Sequence, residues 1–279
     1  MKKSILITGC SSGIGYYTAH GLHARGYRVF ATARRQESVE MLLAEGLESF
    51  RLDLNDSDSI RWAVEETLRR SGGELYALFN NGGYGQPGAV EDLSREALRA
   101  QFETNLFGWV ELTNLILPAM RRQGYGRIIQ NSSVLGFTAM PFRGAYNASK
   151  YAIEGWSDTL RLELRGSRIF VSLIEPGPII TQFRANAMKA FERYIDVERS
   201  VHREKYLAIH NRLNKPGPAV PFTLPPEAVL KKVIYALEAD TPKARYYVTF
   251  PTHLFGFLKR ILPVSVLDKI LAKAGNDHQ

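Results

Sequence analysis

Short apolar runs alternate with longer mixed segments along this chain. The runs are Ser4–Thr8 (SILIT), Arg28–Thr32 (RVFAT), Ser49–Asp53 (SFRLD), Leu75–Asn80 (LYALFN), Arg127–Ser132 (RIIQNS), Ile169–Glu175 (IFVSLIE) and Arg245–Phe250 (RYYVTF). Each is rich in Ile, Val, Leu, Tyr or Phe and is the length of a strand buried on both faces. Helix-length segments separate them: Gly13–Arg25, Asp56–Arg70, a long one opening at Ser94, and Arg143–Arg165. The NDSDS stretch before the second and Ser94 before the third are capping residues. Apolar strands alternating with helices predict an α/β chain: a doubly wound, seven-stranded parallel sheet between two helical layers, as a single domain over residues 1–279.

Two regions break the alternation. Residues 181–225 are polar, helical in their first part, and end in KPGPAVPFTLPP. They follow the sixth strand and are read as a lid over a substrate site. The tail, residues 251–279, carries apolar residues at helical spacing on both sides of Pro263, with scattered Lys and Arg. The aromatics of PTHLFGFL fit three roles: lining a pocket, packing a subunit interface, or resting on a membrane surface.

Composition is that of an ordinary globular chain, 45% apolar and 23% charged. The single cysteine, Cys10, allows no internal disulfide and fits a reducing cytoplasm. The N-terminal apolar run is too short for a secretory signal, and no uncharged stretch is long enough to span a bilayer. The formal charge is +8, and Met1 to Gln36 holds six Lys/Arg and no Asp/Glu. This suits a phosphorylated ligand or an anionic lipid surface. Scattered basic residues without a recognition motif argue against nucleic acid.

Chemistry concentrates at the ends of the strands. ILITGCSSGIG follows the first strand and opens a helix, with Gly9, Gly13 and Gly15 clearing space for a pyrophosphate at the helix N-terminus. The second strand ends FATARRQ, with Ala33 where an acid would meet a ribose hydroxyl, then Arg34 and Arg35. Two guanidiniums and no carboxylate suit a 2′-phosphate, hence NADP rather than NAD. Asp53 fits either an adenine contact or a helix cap. In GAYNASKYAIEGW, Tyr146 and Lys150 lie one turn apart on a helical face.

TGCSSGIG, NNGG (Asn80–Gly83), NLFG (Asn105–Gly108), SS (Ser132–Ser133), YNASK (Tyr146–Lys150) and PGPIIT (Pro176–Thr181) occur in that order. The chain from about Lys3 to Thr181 thereby resembles the short-chain dehydrogenase/reductase family, whose fold is of Rossmann type. It is similar to its bacterial NADP-dependent aldehyde reductases and to its hydroxysteroid and retinol dehydrogenase branch. The resemblance implies Tyr146 as catalytic acid in reduction and base in oxidation. It implies Lys150 as the ribose ligand that lowers the tyrosine pKa, Ser133 as the residue binding the substrate oxygen, and Asn105 as the holder of a water for proton resupply. The NADP(H) contacts it implies are Gly9, Ser11, Ser12, Gly13, Ile14, Gly15, Arg34, Arg35, Asp53, Leu54, Asn80, Asn81, Gly82, Tyr146, Lys150, Pro176, Gly177, Ile179 and Thr181. Asn80 and Gly82 fall on the adenosine ribose side, and Ile179 and Thr181 at the carboxamide. A homo-oligomer, dimer or tetramer, follows from the helices carrying Asn105 and Tyr146, which form four-helix interfaces in this family. Gly82 stands where the family usually has Ala, and loss of that methyl is expected to loosen local packing.

The expected activity is NADPH-dependent reduction of an aldehyde or ketone with Tyr146 as proton donor. Phe183, Met188, Phe191, Tyr194, Tyr206, Leu207 and Phe222 in the lid suggest a bulky, apolar substrate. The rival readings are an alcohol dehydrogenase of hydroxysteroid or retinol type working oxidatively, a non-catalytic NADP(H) sensor, and a membrane-surface protein acting through its tail. No metal is expected, because His20 and His23 lack supporting ligands. Cys10 reads as a buried small side chain.

Overall fold

A computed structural model describes residues 2–214, 217 and 220–276. Lys215, Pro216, Pro218 and Ala219 of the expected lid, and the last residues of the tail, lie outside the described residues. The seven strands are β1 (Ser4–Ile7), β2 (Arg28–Ala33), β3 (Glu48–Arg51), β4 (Ala77–Asn80), β5 (Gly126–Asn131), β6 (Ile169–Glu175) and β7 (Arg245–Tyr247). All pair in parallel, in the order β3-β2-β1-β4-β5-β6-β7. The strand order reverses between β1 and β4, which opens a crevice at the carboxyl ends of those strands.

The helices are α1 (Gly13–Ala24), α2 (Gln36–Ala44), α3 (Ser57–Ser71), α4 (Arg95–Phe102), α5 (Gly108–Gln123), α6 (Gly144–Glu163), α7 (Phe183–Tyr194), α8 (Arg203–Asn214), α9 (Glu227–Glu238), α10 (Phe250–Ile261) and α11 (Val264–Asn276). Strand residues alternate between two cores. Ile5, Ile7, Val29 and Ala31 pack with Leu22, Val229 and Val233 on one face. Leu6, Phe30 and Leu78 pack with Ile60, Trp109, Ile116 and Ile153 on the other. Parallel strands buried on both faces are thus sandwiched in three layers.

Caps fall where polar residues precede the helices. Asp56 accepts hydrogen bonds from the Asp58 and Ser59 amides at the start of α3, and Ser94 accepts one from Ala97 N at α4. The segment that opens at Ser94 is not one continuous helix. Glu103–Phe107 forms a π-helical turn between α4 and α5, and Asn105 lies buried within it.

The segment 181–225 contains α7 and α8, and part of its apolar set faces a second core. Met188, Phe191 and Tyr206 are buried in a satellite core with Ala89, Leu93, Ala97 and Ala145. The Tyr206 hydroxyl donates to Asp92 and accepts from the Ala89 amide. Leu207 and Phe222 are exposed. Met188, Phe191 and Tyr206 therefore line no pocket, contrary to expectation, because packing α7 and α8 against α4 and α6 uses them up.

At the sheet edge, Arg245 on β7 joins three carboxylates. It lies 2.9 Å from Glu154 and 2.7 Å from Asp158, both on α6, and 3.1 Å from Glu175 at the end of β6. Glu175 is fully buried and Glu154 nearly so. Desolvation pushes the carboxyl pKa of both above the usual range. In the folded chain they therefore keep protons that the unfolded chain loses above about pH 4.3. The stability this confers is complete below that pH and declines as pH rises toward the folded-state values.

Arg245→Met should cost about 3 kcal/mol at neutral pH, by leaving buried carboxylates without their cation. The loss should shrink under mildly acidic conditions, and adding Glu175→Gln should recover part of it. Urea titrations at the two pH values test this; a loss independent of pH would contradict the desolvated-carboxyl account.

Candidate active site

The loop from β1 to α1 is built around backbone that must come close to itself. Gly9 (φ +71°) and Gly13 (φ +57°) are in the left-handed region that favours glycine. A Cβ on Gly9 would lie 2.6 Å from Gly82 Cα, and one on Gly15 would lie 2.3 Å from the Gly9 carbonyl oxygen. Ser12 caps no amide of α1 with its side chain, and the first turn holds no acid. Ser11 is exposed and Ile14 packs on the α9 side of the core. A cleared backbone, free amides and a positive dipole end fit a pyrophosphate.

At the end of β2, Ala33 is buried while Arg34 and Arg35 are exposed. Arg51, opposite Ala33 in the β2–β3 register, donates to the Arg34 carbonyl oxygen at 3.2 Å. None of these three guanidiniums is ion-paired among the described residues. Arg51 was missed in the sequence; only strand register brings it here. Asp53 accepts from the Asn55 amide at 3.1 Å, so its carboxylate closes a local turn while Asp56 caps α3.

After β4 the two asparagines divide. Asn80 is fully buried, with Nδ2 donating to Thr113 Oγ1 at 3.0 Å. Its side chain is turned into the body, in contrast to the expected placement beside a ribose. Asn81 Nδ2 donates to the Thr8 carbonyl oxygen at 2.9 Å, and its Oδ1 accepts from Asn131 at 2.9 Å. Thr8 Oγ1 accepts from the amides of Asn81 and Gly82, each at 2.9 Å. The Gly82 position is not loose: a Cβ there would lie 3.0 Å from Leu54 Cδ1. Leu54 already fills the space an alanine methyl would take.

Tyr146, Lys150 and Ser133 converge where α6 starts beside the end of β5. Ser133 Oγ accepts from the Leu135 amide at 3.1 Å and lies close enough to the Tyr146 phenol to favour its ionised form. Phe183 of α7 stands edge-on to the Tyr146 ring at 5.4 Å between centroids. The ring packs against an apolar cluster that includes Val134, Leu135 and Phe255. Burial pushes the Tyr146 pKa up to about 12, against the opposing effects of Ser133 and the charge of Arg143. Burial also lowers Lys150 to about 7, with Glu154 as the weaker opposing influence. The Lys150 ammonium donates to the Asn131 carbonyl oxygen at 2.7 Å and sits 4.4 Å over the Trp109 ring. It is 5.7 Å from the centre of the Tyr146 ring.

Asn105 braces the loop after β4. Its Oδ1 accepts from Tyr84 N at 3.1 Å, and its Nδ2 donates to the Tyr84 carbonyl oxygen at 2.9 Å and to Ser149 Oγ at 3.3 Å. Ser149 in turn donates to the Tyr146 carbonyl oxygen at 2.8 Å. Asn147, which the sequence reading did not single out, donates to the carbonyl oxygens of Leu135 at 2.9 Å and Thr138 at 2.6 Å. It fastens α6 to the loop that carries Ser133. Its only sequence signal is its place inside YNASK.

The loop after β6 closes the far wall. The Pro176 carbonyl oxygen accepts from Val134 N at 2.8 Å, and a Cβ on Gly177 would lie 2.1 Å from Thr249 Oγ1. Ile179 bridges to Leu224, and Thr181 stands where a Cβ on Gly13 would meet it at 3.0 Å. The loops after β1 and β6 thus meet across the crevice. Cys10 is buried, its thiol pushed up to about 12 by desolvation. His20 lies 3.0 Å from Glu45.

A family model described as short chain dehydrogenase matches residues 3–191. The chain is 44% identical over 271 residues to the uncharacterized oxidoreductase YbbO of Escherichia coli (strain K12), covering 97% of this chain and 94% of that one. It is 34% identical over 277 residues to the NADPH-dependent 3-dehydrocapnine reductase of Ornithobacterium rhinotracheale, covering 96% and 95%. Among solved structures it is similar to a single-substitution variant of actinorhodin polyketide ketoreductase with NADPH, with a TM-score of 0.73, 30% identity, and 88% and 95% coverage. It shares its fold with a short chain dehydrogenase/reductase from Burkholderia phymatum in complex with NAD, with a TM-score of 0.76, 24% identity, and 92% coverage of each chain.

Asn147→Ala should lower stability by about 2 kcal/mol, since it leaves two buried carbonyls unpaired. Because the Ser133 loop then loses its tie to α6, kcat should fall more than KM changes. Chemical denaturation and steady-state kinetics on the same preparation check both; an unchanged kcat would show that the tie is structural alone.

Proposed function

The chain belongs to the short-chain dehydrogenase/reductase family, and from its oxidoreductase site we propose a narrower activity: reduction of an apolar aldehyde or ketone to the alcohol, with NADPH as cofactor. The observation that carries this is the Tyr146 phenol, its pKa raised by desolvation, standing beside Ser133 with Lys150 one turn along α6. A phenol holds its proton at neutral pH and can donate it to an alkoxide as that charge develops. The 3-dehydrocapnine reductase and the polyketide ketoreductase, similar to this chain, are both named as reductases and with NADPH.

A nicotinamide held in this crevice would supply the hydride. The two hydroxyls of Ser133 and Tyr146 bind the carbonyl oxygen and stabilise the negative charge that develops on it. Tyr146 transfers its proton to that oxygen. Lys150, anchored on Asn131, would hold the ribose hydroxyls, and the glycine loop with the α1 N-terminus would hold the pyrophosphate. Arg34 and Arg35, unpaired and adjacent, with Arg51 behind them, would take the 2′-phosphate. Val134, Leu135 and Phe183 around the phenol suit an apolar carbonyl. Exposed Phe107, Leu115, Tyr151 and Leu162 on and beside α5 and α6 support the homo-oligomer expected from the family.

Tyr146→Phe should lower kcat by about 10²- to 10⁴-fold while NADPH still binds; loss of binding instead would move Tyr146 from chemistry to cofactor placement. Replacing Arg34 and Arg35 together by Ala should weaken NADPH by roughly 10- to 100-fold with NADH little changed. Fluorescence titration with both cofactors reads this directly, and an equal loss for the two would rule out 2′-phosphate recognition by these residues.

A further inference from the structure

The tail helix α10 is apolar on two opposite faces. Its inner face, with Phe255 and Leu258, belongs to an apolar cluster with Val134 and Leu135, against which Tyr146 also packs. Its outer face carries Phe250, Leu254, Phe257 and Ile261, which recur at i, i+4, i+7 and i+11 and so form one stripe along the helix. These side chains are 57%, 38%, 60% and 57% exposed. The stripe extends at both ends: Val264 follows it, and Phe222 stacks on Phe250 at 5.0 Å between centroids. Phe222 has φ +59°, a left-handed conformation that a bulky residue adopts only at a cost, yet it remains 60% exposed. Nothing in the folding of this chain repays the exposure of six such residues in one surface.

Charge selects among the occupants of that surface. From Phe250 to Asn276 the chain holds Lys259, Arg260, Lys269 and Lys273 against one acid, Asp268. Lys259 donates to the Phe137 carbonyl oxygen, while Arg260, Lys269 and Lys273 are outside any ion pair among the described residues. A second copy packed on this face by two-fold symmetry would bring like charges together. An anionic lipid surface would attract them and take up the aromatic stripe. No described helix is long and apolar enough to cross a membrane, so the contact is with the interface.

We propose that the outer face of α10, with Phe222 and Val264, docks this protein on an anionic lipid surface. Because the inner face of the same helix shares an apolar cluster with the Ser133 loop, against which Tyr146 also packs, docking sets the mouth of the site at the lipid, where an apolar carbonyl would be taken up. The uptake rests on the reductase reading; the docking does not.

The test is co-sedimentation of the full-length protein with vesicles of phosphatidylcholine alone and of an equal mixture with phosphatidylglycerol. The protein should pellet with the anionic vesicles and remain largely in solution with the neutral ones, and added salt should release it. Phe257→Ser should cut binding by about tenfold, the scale of losing one interfacial aromatic. Phe222→Gly should do the same while the melting temperature holds or rises, because it relieves the left-handed strain. Cofactor titration should be unchanged in both variants. Absence from the anionic pellet, or pelleting unaffected by either variant, overturns the proposal. So does a variant that changes the oligomeric state by light scattering in place of lipid binding, which would assign the face to a second copy. Reduction of a small water-soluble aldehyde, measured alongside, reports on the reductase reading separately.

Discussion

Desolvation at the start of α6 governs this site. A phenol and an ammonium stand one helical turn apart, Lys150 buried and Tyr146 half-buried. Desolvation favours the neutral form of each, raising Tyr146 to about 12 and lowering Lys150 to about 7. The phenol is protonated over the neutral range. A buried cation is costly unless it is partnered, and the Asn131 carbonyl and Trp109 ring serve Lys150.

Those partners are themselves held by a layer of buried amides and hydroxyls. Asn147 ties α6 to the Ser133 loop, Asn105 and Ser149 tie it to the loop after β4, and Thr8 with Asn81 ties that loop to the glycine turn. One turn beyond Lys150, Glu154 begins the carboxyl cluster that Arg245 closes against β7. The helix carrying the chemistry is therefore braced on the sheet along its length, through Lys150 on Asn131 of β5 and Glu154 on Arg245 of β7.

The seven strands and their parallel pairing were legible from apolar periodicity, because strands buried on both faces leave continuous runs. The residues of the site were legible as motifs, since glycine turns and YNASK have fixed spacing. Their surroundings were not. Met188, Phe191 and Tyr206 read as pocket residues because aromatic composition does not reveal whether a side chain faces a ligand or a second core. Asn80 and Asn81 are identical in type and adjacent, and only the strand's alternation sends one inward. Arg51 reaches the basic corner through β2–β3 register, and the outer stripe of α10 could be told from its inner one only once the helix was docked.

The measurement closest to the centre of this account is the titration of Tyr146 in the cofactor-free protein, followed by NMR of ring-labelled tyrosine with Tyr146→Phe to assign the signal. The account predicts that this tyrosine stays protonated well above the ordinary value of about 10. Ionisation at or below the ordinary value would mean that Lys150 or Arg143, not desolvation, dominates the phenol, and would contradict the reading of Tyr146 as a proton donor fixed by burial.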